Sequence, residues 1–158
     1  MNEAASCRYS PLGDKTFGLA KIGKNLRKRI AERTQYRCGY CLIREDLLGD
    51  FLQVEHITPK SLGGTNEDEN LCLACSMCND FKWAKTHAHD PIFGTYVSLF
   101  NPNRQKWSEH FCWSSDGSLI IGLTSCGRAT VAALNLNHPH RVRVRKLWIK
   151  FNQHPTQS

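Results

Sequence analysis

No stretch of this 158-residue chain approaches the roughly 20 consecutive apolar residues that a membrane-spanning helix needs, so no membrane partner is expected. The opening residues, MNEAASCRYSPLGDK, lack the charged-then-apolar pattern of an export signal, and a cytoplasmic chain is the expectation. Internal repeats and low-complexity segments are missing too, which argues against a repeat array. Acidic residues are scarce: 14 Asp and Glu stand against 21 Lys and Arg, for a formal net charge of +7. Binding of one dication by four thiolates would remove only two of those charges, and the surplus favours an anionic partner such as nucleic acid. What remains is ordinary. The length suits one domain with a modest core, and 41% hydrophobic residues is usual for such a chain.

Residues 1–20 carry few apolar residues and no clear period, so they are expected to form a loose arm. In KIGKNLRKRIAERTQYR, residues 21–37, Leu26, Ile30 and Ala31 recur at helical spacing, while Arg27, Lys28, Arg29 and Arg33 fill much of the rest. Such a helix is either a solvated charged face or a rod lying along a phosphate backbone. A strand is expected over 51–57, a loop with strong turn signals at Pro59 and Gly63-Gly64 over 58–69, a second strand over 71–74, and a helix from Ser76 to about Lys85. Beyond it, a connector with two prolines leads to a hairpin about Asp116-Gly117. A helix from Thr124 or Ser125 to about Leu136 follows. In the tail, Val144, Leu147, Trp148 and Phe151 fall at i, i+3, i+4 and i+7, which predicts a final helix with that apolar face.

Eight cysteines in a chain without an export signal suggest metal ligands plus buried thiols rather than disulfides. Cys38 with Cys41, and Cys75 with Cys78, form two Cys-x-x-Cys knuckles. Each knuckle can turn two sulfurs to ~2.3 Å from one Zn²⁺, and two complete a tetrahedron with no open position, so this zinc would be structural. Cys72 with Cys75 is a competing register. Cys75 and Cys78 are preferred because Cys72 falls in the short strand, where it would be an ordinary apolar contact. Cys7, Cys72, Cys112 and Cys126 are expected to be inert. His87 with His89, and His138 with His140, have a metal-compatible spacing but fall in polar loops, and no site is assigned to them.

The pattern R-C-G-Y-C (37–41), V-E-H-I-T-P-K-S-L-G-G (54–64) and N-L-C-L-A-C-S-M-C-N-D-F-K (70–82) resembles the HNH endonucleases, the zinc-containing branch of the ββα-metal nucleases. The likeness is close over roughly residues 26–83, and the segment from Leu99 to Asn137 resembles the C-terminal extension of small stand-alone bacterial members. The resemblance implies an α+β fold. A ββα hairpin-helix core, stapled by the four-cysteine zinc pair, would span residues 21–90 with its N-terminal helix. A hairpin and two helices over 91–152 would pack on it within the same domain.

The resemblance also implies roles. His56 matches the general base that takes a proton from the attacking water, a task suited to an imidazole. Glu55 matches the acidic metal ligand. Neighbouring strand residues point to opposite faces, so that pairing requires the backbone to leave regular strand geometry there. Asn70 matches the residue that ties the hairpin loop and holds the histidine. Asn79 matches the third position, where the family name implies histidine, and with Glu55 it would hold a catalytic Mg²⁺ or Mn²⁺ rather than zinc. Lys82, Lys60, Arg27, Lys28 and Arg33 are the candidate nucleic-acid contacts, and Trp83 stands where relatives often carry glycine. The implied reaction is metal-assisted hydrolysis of a DNA phosphodiester, leaving 5′-phosphate and 3′-hydroxyl ends. RNA stays open as a substrate, as does a monomer that nicks or a homodimer that cuts both strands. A non-catalytic zinc-ribbon module that binds nucleic acid is the alternative, with a zinc-stabilised protein-interaction domain behind it. Neither needs Glu55, His56, Asn70 and Asn79 together.

Overall fold

The computed structural model describes residues 23–155, so the arm expected over 1–20, with Cys7, lies outside the described residues. Helix α1, Lys24–Arg33, buries Ile30 and Ala31 and leaves its basic positions toward solvent. Strand β1, Gln53–His56, pairs antiparallel with β2, Leu71–Ala74, placing Gln53 opposite Ala74 and His56 opposite Leu71. All four β2 residues are buried, because both α1 and the helix that follows pack on this strand. That helix, α2, spans Ser76–Lys82 and stops three residues before the expected end, where Trp83 takes a left-handed φ of 43°. β1 is likewise shorter than expected, since Phe51 is exposed and outside the ladder.

The long loop between β1 and β2 is shaped by its two glycines. Gly63 has a φ of 84°. At Gly64 a Cβ would lie 1.7 Å from the Thr58 carbonyl oxygen and 2.9 Å from Asn70 Nδ2, so only glycine lets the loop close on itself.

The connector after α2 is more ordered than its prolines suggested. It contains a small hairpin, β3 (His87–His89) against β4 (Tyr96–Ser98), which places His87 and His89 on a strand, with Tyr96 packed against both rings. A short helix α3, Trp107–His110, leads into the hairpin of β5, Phe111–Trp113, and β6, Ile120–Gly122. Thr124 caps α4, Ser125–Ala133, by accepting from the Gly127 amide at 3.0 Å. Helix α5, Pro139–Lys150, starts with proline in its first turn and His138 as the cap.

These elements close on the hairpin-helix unit through specific contacts. Trp107 Nε1 donates to the Tyr40 carbonyl at 2.9 Å, and in the shared core Phe111 meets Phe100 edge to face and packs at a tilt against Trp107. The fold is therefore α+β, built from three two-stranded sheets among the described residues.

Helix α5 corrects one expectation. Leu147 and Phe151 are exposed, while Arg141 and Arg145 are the residues it buries. The expected face holds in part: Val144 and Trp148 are half-buried, but they share the inward side with the two arginines, which lie over a cluster of cysteines.

Candidate active site and metal centre

That cluster is the four knuckle cysteines. The Sγ atoms of Cys38, Cys41, Cys75 and Cys78 all lie within 4.8 Å of one another, and those of Cys41 and Cys75 are 3.8 Å apart. Four sulfurs each ~2.3 Å from a tetrahedral zinc have edges of about 3.8 Å, so the donor set fits the ion. The charge around it fits as well. Four thiolates about a dication leave two negative charges, and two buried guanidiniums face them. Arg141 Nη1 donates to Cys78 Sγ at 3.1 Å, and its Nε and Nη2 find no acceptor among the described residues. Burial opposes the Arg141 charge, but the thiolates of Cys78, Cys41 and Cys75 outweigh it and hold its pKa above the ordinary arginine value. Arg145 donates to the Ser118 and Leu136 carbonyls and lies over the Trp113 ring. The C-terminal helix is thus the outer wall of this centre, a role that basic residues in a tail did not announce.

Cys72 stays out of the cluster, which settles the register. It is not the plain apolar contact expected, however, because its thiol lies 3.5 Å from Glu55 Oε2. Burial, and then the neighbouring Glu55 carboxylate, push that thiol well above its usual pKa.

His56 ends β1 with its ring partly exposed on the loop side of the hairpin. Its Nε2 lies 2.9 Å from Asn66 Oδ1. Asn70 ties the same loop at three points: Oδ1 accepts from the Thr58 amide at 2.8 Å, and Nδ2 donates to the Thr58 and Thr65 carbonyls at 3.0 and 2.9 Å. The direct partner of the imidazole is therefore Asn66, a residue the sequence did not single out. Asn79, on α2, donates to Gln53 Oε1 at 2.7 Å, crossing to the strand that carries His56.

A two-stranded hairpin closed by an asparagine-tied loop, a histidine at its edge, a following helix and flanking Cys-x-x-Cys knuckles form the frame on which the comparison with known families rests. Residues 38–85 match the model of the family described as HNH endonuclease. This stretch is similar to the HNH endonucleases over about a third of the chain. The match covers both knuckles, the hairpin and α2, and it ends before the C-terminal extension. Neither the curated proteins nor the solved structures compared with the chain gave a match.

Within the matched stretch, Glu55 is placed otherwise than expected. The ladder runs regularly through Glu55 opposite Cys72 and His56 opposite Leu71, so the two side chains project to opposite faces. Glu55 is 4% exposed and surrounded: Lys82 Nζ lies 2.6 Å from Oε1, and the Tyr40 hydroxyl donates to Oε2 at 2.8 Å. Lys82 itself is 1% exposed and donates a further hydrogen bond to the His56 carbonyl at 3.1 Å. The assignment of Lys82 to a phosphate contact is therefore corrected, since its ammonium is an internal cation that joins Glu55 to the backbone of His56. The assignment of Glu55 with Asn79 as an open pair of ligands for Mg²⁺ or Mn²⁺ is corrected as well. The carboxylate already faces an ammonium, the Asn79 amide faces Gln53, and a divalent ion does not fit between these groups as they stand.

The basic helix also differs from its expected use. Arg27 pairs with Glu45 and donates to the Leu52 carbonyl, Arg29 forms a forked contact with Asp68, and Lys28 lies 3.8 Å from Glu32. Arg33 donates to the Leu71 carbonyl at 2.6 Å. These bonds fasten α1 to the hairpin loop and to the segment after the first knuckle, and Lys60 stands exposed on that loop.

Proposed function

We propose that the chain is an endonuclease that hydrolyses DNA phosphodiester bonds, with His56 as the general base. The observation that carries this reading is the imidazole held at the hairpin edge by Asn66 in an HNH frame. With Asn66 Oδ1 facing it, Nε2 carries the proton and Nδ1 keeps the basic lone pair. Nδ1 takes a proton from water, and the resulting hydroxide attacks phosphorus in line. The bond from phosphorus to the 3′ oxygen breaks, and that oxygen takes a proton from solvent, leaving 5′-phosphate and 3′-hydroxyl ends. Lys82 fixes the main chain of His56, and Glu55 with Tyr40 fixes Lys82. The structural zinc at Cys38, Cys41, Cys75 and Cys78 holds the two ends of the hairpin unit together.

HNH nucleases use a divalent metal, and Mg²⁺ and Mn²⁺ are the cations to supply in the assay. Because the donors at Glu55 and Asn79 do not fit one in this arrangement, no step is assigned through it. The test is conversion of supercoiled plasmid to nicked or linear forms across a series of divalent cations, with a chelator control. Cleavage in Mg²⁺ or Mn²⁺ is expected, and an inert protein in every cation would overturn the proposal.

Asn66 carries a prediction of its own. Asn66→Leu removes the acceptor that sets the tautomer and orientation of His56, and kcat should fall roughly 10- to 100-fold with KM little changed. Asn66→Asp, which keeps an acceptor oxygen, should retain most of the activity. Steady-state kinetics on a small phosphodiester distinguish the two, and equal loss in both variants would refute the positioning role.

A further inference from the structure

The charges of α1 that suggested a nucleic-acid contact are largely paired within the protein, but a second concentration of positive charge is not on the helix face. A groove of about 590 Å³ runs between the C-terminal end of α1, the first knuckle and the loop 101–108. Arg33, Arg37, Arg104 and Lys106 line it, and among the described residues Glu69 is the one acid along its walls. Arg104 and Lys106 are exposed. Lys106 has an acidic neighbour only at 3.9 Å, in Glu109. Both come from the extension, outside the segment matched as HNH.

Two features make the groove a built surface and aim it toward the hairpin. Its floor is tight: a Cβ on Gly39 of the first knuckle would meet Pro102 Cβ at 2.8 Å, so knuckle and loop lie in direct contact. Its wall is bolted to the hairpin by Asn103. The Asn103 amide donates to the carbonyls of Glu69 and Leu71 at 2.9 Å each and of Asp68 at 3.3 Å. Leu71 is the cross-strand partner of His56, so the groove adjoins the end of the hairpin that carries the base.

We propose that this groove carries the phosphate backbone of the DNA, which makes the C-terminal extension part of the substrate-binding surface. The proposal rests on the endonuclease reading for the identity of its substrate. Rows of cations along a concave surface favour a polyanion by releasing its counterions, and each phosphate neutralised adds about 0.9 to the slope of log K against log salt.

The experiment uses the full chain and the double variant Arg104→Ala/Lys106→Ala, both at exposed sites and neither one of the four cysteines. Binding to a fluorescent DNA duplex is measured by anisotropy across a salt series, with no Mg²⁺ or Mn²⁺ added, so that the probe stays uncut and the structural zinc stays in place. The variant should bind roughly ten-fold more weakly at low salt, with a slope shallower by about 2. Hydrolysis of bis(p-nitrophenyl) phosphate, which has no extended backbone, should be unchanged. An unaltered salt slope would overturn the groove assignment. So would an equal loss on the small diester, because it would place the two residues at the reaction instead of along the track. Should the wild type bind DNA through the groove yet cleave neither plasmid nor diester, the endonuclease reading fails while the groove assignment stands.

Discussion

His56→Ala should abolish plasmid cleavage, with a fall of roughly 10²- to 10⁴-fold in rate, while zinc content and DNA affinity stay near wild type. The magnitude is that of removing a general base, since no other imidazole stands at this edge of the hairpin to take the proton. The clean separation from stability follows from how the residue is held. Lys82 binds the His56 carbonyl, which alanine keeps, and the ring touches Asn66 on the exposed side of the loop rather than the core. Truncation therefore leaves no buried donor or acceptor without a partner. The measurement is initial rates of plasmid conversion for both proteins, together with bound zinc and anisotropy on uncut duplex. A variant that cleaves within ten-fold of wild type would remove His56 from the mechanism.

The largest effect on folding should come from Cys38→Ser. Cys38 is fully buried, and its amide closes the first knuckle by donating to the Ile43 carbonyl at 2.9 Å. Structural zinc in finger peptides is worth on the order of 10 kcal/mol, comparable to the whole stability of a typical domain at about 5–15 kcal/mol. Weakening the site also strips Arg141 and Arg145 of the thiolate charge that offsets theirs, leaving two guanidiniums buried beside a poorer counter-charge. The variant should carry less than one zinc per chain, lose its helical circular dichroism and expose α5 to protease. Cys72→Ser, which changes a buried thiol outside the cluster, is the control and should keep its zinc. A folded, zinc-replete Cys38→Ser protein would refute the four-cysteine assignment.

Much of the hairpin was legible because its signals are local. Gly63-Gly64 marks the loop, and Leu71–Ala74 forms the expected strand. The knuckle spacing picked out the four sulfurs that the structure brings together, without Cys72. The helix at the tail was legible in its extent and in the inward side of Val144 and Trp148, but the arginines that share that side were not. Arg141 and Arg145 also lie at i and i+4, and nothing local says that such a pair faces inward. Arg141 does so because the cysteine cluster more than sixty residues earlier in the chain lies beneath it, and Arg145 because it reaches the Ser118 and Leu136 carbonyls.

The sequence by itself determined the frame: an α+β chain, two knuckles, a hairpin with a histidine at its edge and a basic surplus that suits DNA. These depend on spacing, period and composition, which do not change when the chain folds. Only the tertiary structure decided which charges remain available. Glu55 and Lys82 looked like functional groups on neighbouring elements, and packing joined them instead in a buried pair with Tyr40, because an ion removed from water takes whatever counter-charge and hydrogen bonds lie within reach. Arg27 and Arg29 are likewise paired, with Glu45 and, at the surface, with Asp68, and the open groove beside Arg104 and Lys106 is left as the surface where a phosphate backbone can lie.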